Sequence, residues 1–92
     1  MIKTINHKGL EKFYHTGSLS GIQATHTKRL QLILTRLDSS TCAEDMNLPG
    51  LKMHKLIGQL KGYYAVTVQA NWRIIFRFIN EDAYDINYID YH

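Results

Sequence analysis

The hydrophobic period of this chain changes along its length, and that change limits the folds open to it. In the first half apolar residues recur every three or four positions; from Tyr64 onward they alternate. In ATHTKRLQLILTRLDSS, Leu30, Ile33, Leu34 and Leu37 fall at i, i+3, i+4 and i+7, one stripe of a helix, with Lys28, Arg29 and Arg36 largely off it. Thr25 is the expected N-cap. Upstream, NHKGLEKFYHTG offers Asn6 as a cap, Gly17 as a stop, and Leu10, Phe13 and Tyr14 as the buried stripe. Gly9 weakens that helix by about 1 kcal/mol relative to Ala. Pro49 and Gly50 then break regular structure.

In the second half, YYAVTV sets Tyr64, Val66 and Val68 on one face. WRIIFRFI sets Trp72, Ile74, Phe76 and Phe78 on one face and Arg73, Ile75, Arg77 and Ile79 on the other. AYDINYIDY is a third β-rich run, KMHKL a short extended one, and IKTI a short edge strand at the start. The links QAN and NED are of hairpin length, so the strands should pair antiparallel. Helices first and strands later predict an α+β fold, with residues 1–92 as a single domain. Two N-terminal helices should pack on one face of an antiparallel β-sheet.

An apolar fraction of 45% and a charged fraction of 21% fit a soluble globular domain. No apolar run is long enough to cross a membrane, and the N-terminus lacks a signal-peptide core. Cys42 is the only cysteine, which excludes an internal disulfide and a multi-cysteine metal set and fits a cytoplasmic location. The charge is unevenly spread. No Asp or Glu occurs from Met46 to Asn80, a span that carries Lys52, Lys55, Lys61, Arg73, Arg77 and His54. Such a segment either attracts a polyanion or simply solubilises one side of the molecule.

A tight turn near Asn80 to Asp82 brings residues 90–92 beside residues 71–74. Asp90, Tyr91 and His92 should therefore sit near Arg73, although a slip of one residue would exchange the two faces. Arginine can grip a phosphate with two parallel N–H bonds, and imidazole and phenol can move protons. With His54 on the same face, the set suits metal-free RNA cleavage. One group removes the ribose 2′-OH proton, the oxygen attacks the adjacent phosphate, a cation stabilises the added charge, and an acid protonates the leaving 5′-oxygen. The need for a 2′-OH selects RNA. Plainer readings exist: His54 as a surface histidine, Arg73 as an ion-pair partner of Asp90, Tyr88 and Tyr91 as strand aromatics. His7, His15 and His26 lie at no metal-ligand spacing and read as surface residues.

Residues 68–92, VQANWRIIFRFINEDAYDINYIDYH, resemble the HigB toxins, the plasmid-killer branch of the RelE superfamily of bacterial toxin–antitoxin systems. The shared pattern is a strand close to R-A-N-W-R-I-x-F-x-F, a short turn, and a last strand ending D-Y-H. HKGLEKFY, RLQLILTRLD and MHKLIG also fit, so the resemblance spans the chain. It implies a RelE-like domain and an endoribonuclease that cuts mRNA in the A site of the translating 70S ribosome, without cofactor or metal. It also implies a cognate helix-turn-helix antitoxin, HigA-like, and contact with operator DNA only through the toxin–antitoxin complex. By the same resemblance, Arg73 would stabilise the transition state, His54 and His92 would transfer protons, Tyr91 would stack on a base or assist, and Asp90 would orient a neighbour. Lys52, Lys55, Lys61 and Arg77 are the candidate RNA contacts. The chain departs from the family's H-P-L-K-G: Ile57 stands where the lysine would be, with Lys55 as the better substitute. The alternatives are a basic RNA- or ribosome-binding protein that does not cut, and a plain protein-interaction module.

Overall fold

The computed structural model describes residues 1–91. Two helices, α1 (Lys8–Thr16) and α2 (Thr27–Ser39), precede four strands: β1 (His54–Lys55), β2 (Tyr64–Gln69), β3 (Trp72–Ile79) and β4 (Asp82–Asp90). The strands form one antiparallel sheet in the order β1-β2-β3-β4. Both helices cover the same face. Leu10 and Phe13 of α1 and the α2 stripe Leu30, Ile33, Leu34 and Leu37 meet Val66, Val68, Ile74, Phe76 and Tyr88 in one core. The expected α+β architecture and both apolar patterns are present.

Local details differ. His7, not Asn6, caps α1, its Nδ1 accepting from the Leu10 N–H at 3.0 Å. Gly17 ends the helix in the left-handed region at φ 79°, as its sequence position suggests. Thr25 is not the cap of α2; the chain enters that helix through a 3-10 turn at Ala24–His26. The IKTI segment makes no full strand. It lies parallel to β4 through bridges at Ile2–Ala83 and Ile5–Ile86, which covers the outer edge of β4.

Two arginines off the α2 stripe tie that helix to the segment leading into the sheet. Arg29 donates to the Gly50 carbonyl at 2.6 Å and Arg36 to that of Asp45 at 3.0 Å. Leu51 is buried and its carbonyl accepts from the Thr67 N–H, so the chain is already aligned with β2 before His54.

The β3–β4 hairpin turns on Asn80 and Glu81, both with positive φ (50° and 71°). Such a two-residue turn matches the twist of its strands but suits Asn and Gly far better than Glu. Further along, Ile75 pairs with Asn87 while Arg77 pairs with Tyr84, so β4 carries one extra residue. Asp85, at φ 54°, lies in this bulge.

Gly9 has a reason that its helix propensity hides. A Cβ there would lie 2.4 Å from the Gly21 carbonyl oxygen, and one on Gly21 would lie 2.4 Å from the Gly9 Cα. The α1 backbone and the loop before α2 touch directly. Gly9→Ala, a gain on propensity alone, is therefore expected to lower stability by about 1–3 kcal/mol through overpacking, measured by urea denaturation. Glu81→Gly should raise it by roughly 0.5–1 kcal/mol by relieving the turn, with the same measurement deciding.

Candidate active site

Directly paired residues of an antiparallel ladder share a face, and this fixes what lies on the side away from the helices. His54 pairs with Ala65, Ala65 with Ile75, and Ile75 with Asn87, one row across the open face. Ala65 and Ile75 are buried although they are not part of the helix-side core. The next row toward the β2–β3 link is Thr67, Arg73 and Ile89. His54 and Arg73 thus face the same way, two strands and two residues apart, roughly 12 Å between Cα atoms on standard sheet spacings.

The Arg73 guanidinium is held by its own hairpin. Its Nη1 donates to the Ala70 carbonyl at 2.6 Å and to the Trp72 carbonyl at 3.1 Å. The end of β4 is beside it: Trp72 pairs with Asp90, and the Tyr91 N–H donates to the Asn71 carbonyl at 2.7 Å. The ladder therefore brings Asp90 and Tyr91 next to Arg73, with Tyr91 half exposed. By register Asp90 stands on the Trp72 side of β4 and Ile89 on the Arg73 side. His92 lies outside the described residues.

The basic residues divide into groups. Lys52 is exposed and follows Leu51, whose carbonyl binds the Thr67 N–H, so it lies at the Arg73 end of the sheet. Lys55 pairs with Tyr64, which puts it on the face opposite His54. With Ile57, Lys61 and Tyr63 it lines a groove at the β1 edge, where Ile57 is 87% exposed. Arg77 is on the open face, but its Nε donates to Asp85 at 2.7 Å and its guanidinium lies over the Tyr63 ring at 5.8 Å. The Asp85 in the bulge thus offsets one positive charge of this face. Among the described residues, no three His, Cys, Asp or Glu side chains converge as a metal-binding group.

Behind Arg73, on the helix side, is a polar cluster that the surface reading of His26 missed. His26 is 4% exposed, and its Nδ1 shares a 2.6 Å hydrogen bond with the Tyr88 hydroxyl. Tyr88 stacks on Trp72 with centroids 4.6 Å apart, and His26 meets the Trp72 ring edge-on at 5.8 Å. His7, also only part-exposed, meets Tyr88 edge-on at 5.3 Å. A buried hydroxyl needs a partner, and each of these ring contacts contributes on the order of 1 kcal/mol. Burial pushes the Tyr88 phenol above its ordinary value of 10.0, with the Gln23 N–H pulling weakly the other way. His26 stands four residues before Leu30 on the same helical stripe, the one sequence sign that it points inward. His15 is exposed as expected.

With this geometry established, comparison with known proteins gives a consistent result. A family model described as the RelE-like toxin of the type II toxin-antitoxin system HigB matches residues 3–92. The chain is 45% identical over 92 residues to the Endoribonuclease HigB of Proteus vulgaris, covering all of both proteins. This chain belongs to the HigB-like toxin family, within the RelE-like toxins of type II toxin–antitoxin systems.

Burial holds the His7 imidazole below its ordinary value of 6.5, against a smaller opposing effect of its own backbone. Its Nδ1 must also stay unprotonated to accept from Leu10. With the folded value depressed, the unfolded chain binds more protons as pH falls below 6.5. Stability is full above that pH and declines as pH drops through the lower, folded value. His7→Asn, which keeps a capping side chain, should flatten this decline below pH 6.5 in chemical denaturation; an unchanged slope counts against His7 as its source.

Proposed function

We propose that this toxin is an endoribonuclease that cuts mRNA in the A site of the translating ribosome by attack of a ribose 2′-OH. The observation that carries the reading is the convergence at one end of the sheet. Arg73 is fixed there by hairpin carbonyls, with the β4 end carrying Asp90 and Tyr91 beside it and His54 on the same side. The name of the Proteus vulgaris relative, Endoribonuclease HigB, agrees with the endoribonuclease activity in this reading.

In this reaction the 2′-oxygen loses its proton to a base, His54 or His92, and bonds to phosphorus. The phosphorus–O5′ bond breaks, and the leaving oxygen takes a proton from the other group. The products are a 2′,3′-cyclic phosphate and a free 5′-hydroxyl. The Arg73 guanidinium lies against the phosphate and stabilises its added negative charge. Being held by two carbonyls in advance, it need not reorganise. Lys52, at this end of the sheet, guides the RNA backbone, with Lys55 and Lys61 extending the contact around the β1 edge. Arg77, occupied by Asp85, contributes to the sheet more than to RNA. Neither metal nor cofactor takes part. The cognate partner is a helix-turn-helix antitoxin, which carries the contact to operator DNA, and the site of action is the cytoplasm. No helix among the described residues is long and apolar enough to cross a membrane.

Arg73→Ala is expected to lower cleavage of a translated reporter mRNA by about 10²–10³-fold, on the scale of losing one preorganised donor, with an unchanged melting temperature. His54→Ala and His92→Ala should each fall by at least about tenfold. Primer extension after induction reads all three. Cleavage that persists in the Arg73 and His92 variants would place the site elsewhere. Wild-type protein that binds ribosomes but leaves the message intact would favour the non-cutting alternative.

A further inference from the structure

The buried cluster behind Arg73 is more than core filling, because it connects to the site through one residue. Trp72 has two ends. Its indole is stacked on Tyr88 and met by His26 on the helix side, and its carbonyl accepts from Arg73 Nη1. Tyr88 is likewise two residues before Asp90 on the same side of β4, directly opposite Ile74 in the ladder. The last rungs of β3 and β4, which carry Arg73 and Tyr91, are therefore clamped from behind by these rings. The clamp is oriented by hydrogen bonds from outside the sheet. The Gln23 N–H donates to the Tyr88 oxygen at 3.4 Å, and His26 Nδ1 shares a 2.6 Å hydrogen bond with the same hydroxyl. The loop supplying both groups is pinned to α1 by the Gly9–Gly21 contact.

We propose that His26 is a positioning residue for RNA cleavage, acting through Tyr88 and Trp72 to hold Arg73 in register with the end of β4. This rests on the assignment of Arg73 to the reacting phosphate. His26 touches no substrate. It keeps the tyrosine ring at one angle, the tyrosine keeps the indole, and the indole fixes the rung whose carbonyl holds the guanidinium. Because displacing a catalytic group by about 1 Å can cost on the order of 10²-fold in rate, a small relaxation of this stack should appear in kcat while RNA binding stays intact.

The test measures kcat and KM for programmed ribosomes in Tyr88→Phe, His26→Ala, His26→Asn and the Tyr88→Phe/His26→Ala double variant, with folding followed by circular dichroism. Tyr88→Phe keeps the ring and removes only the hydroxyl, so it decides the matter if His26→Ala does not fold. Expected are a fall in kcat of at least about tenfold in Tyr88→Phe and in His26→Ala, and KM within about twofold of wild type. The double variant should lose less than the two single losses multiplied together, since both remove the His26–Tyr88 hydrogen bond. His26→Asn, whose amide can occupy the Nδ1 position, should recover most of the loss. Wild-type kcat in folded Tyr88→Phe or His26→Ala, or a loss confined to KM, overturns the proposal. So does His26→Asn that folds as well as wild type yet cleaves no better than His26→Ala. Arg73→Ala measured alongside separates the two levels. If it cuts normally, the site assignment fails; if it is inactive while Tyr88→Phe and His26→Ala are normal, only the positioning role fails.

Discussion

The β3–β4 ladder is the constraint on which the rest of the molecule depends. Its inward residues, Trp72, Ile74, Phe76, Ala83, Ile86 and Tyr88, supply the sheet's main contribution to the core beneath both helices. Its outward residues include Arg73, Ile75 and Arg77. Apolar burial and antiparallel pairing thus determine where the polar groups of the open face stand. The rungs from Trp72–Asp90 to Ile75–Asn87 share one register, so Arg73 cannot shift relative to Tyr91 without breaking several backbone hydrogen bonds.

Electrostatics refines this arrangement. From Met46 to Asn80 the chain has no acid of its own, but folding brings Asp85 of β4 onto Arg77. Asp85 binds Arg77, while Arg73 donates to the Ala70 and Trp72 carbonyls. Two arginines that look alike in the sequence, four residues apart on one strand face, thereby differ in their partners, hairpin carbonyls for Arg73 and a carboxylate for Arg77. The groove carrying Lys55 and Lys61 is reached around the β1 edge, so the basic surface bends rather than lying flat.

Much of the fold was legible in the sequence because hydrophobic period is a local property. The stripe from Leu30 to Leu37 and the alternation from Trp72 to Phe78 each identify an element and its buried side. The proximity of Asp90 and Tyr91 to Arg73 followed from hairpin counting alone. What could not be read depends on contacts between distant segments. His26 is buried because Tyr88, sixty-two positions away, offers it a hydroxyl. Gly9 is required because Gly21 lies against it, which no propensity scale records. The face of each β4 residue was also closed to the sequence, since nothing in DAYDINYID announces an extra residue at Asp85. The family resemblance named Arg73, His54 and the strand end, but it could not indicate that Arg77 is engaged or that Lys55 faces away from His54.

That extra residue gives β4 two opposite parities. Ahead of it an odd-numbered residue, Ala83, faces the helices; beyond it the even-numbered Ile86 and Tyr88 do. The strand thus has a reading frame of its own. Were the same residues paired without the bulge, unbroken alternation from Ala83 would turn Tyr88 out to the open face and Ile89 in toward the helices, with the composition unchanged. The position of Asp85 therefore specifies which side of the molecule each residue of the β4 end belongs to, a form of information carried by chain length rather than by side-chain chemistry.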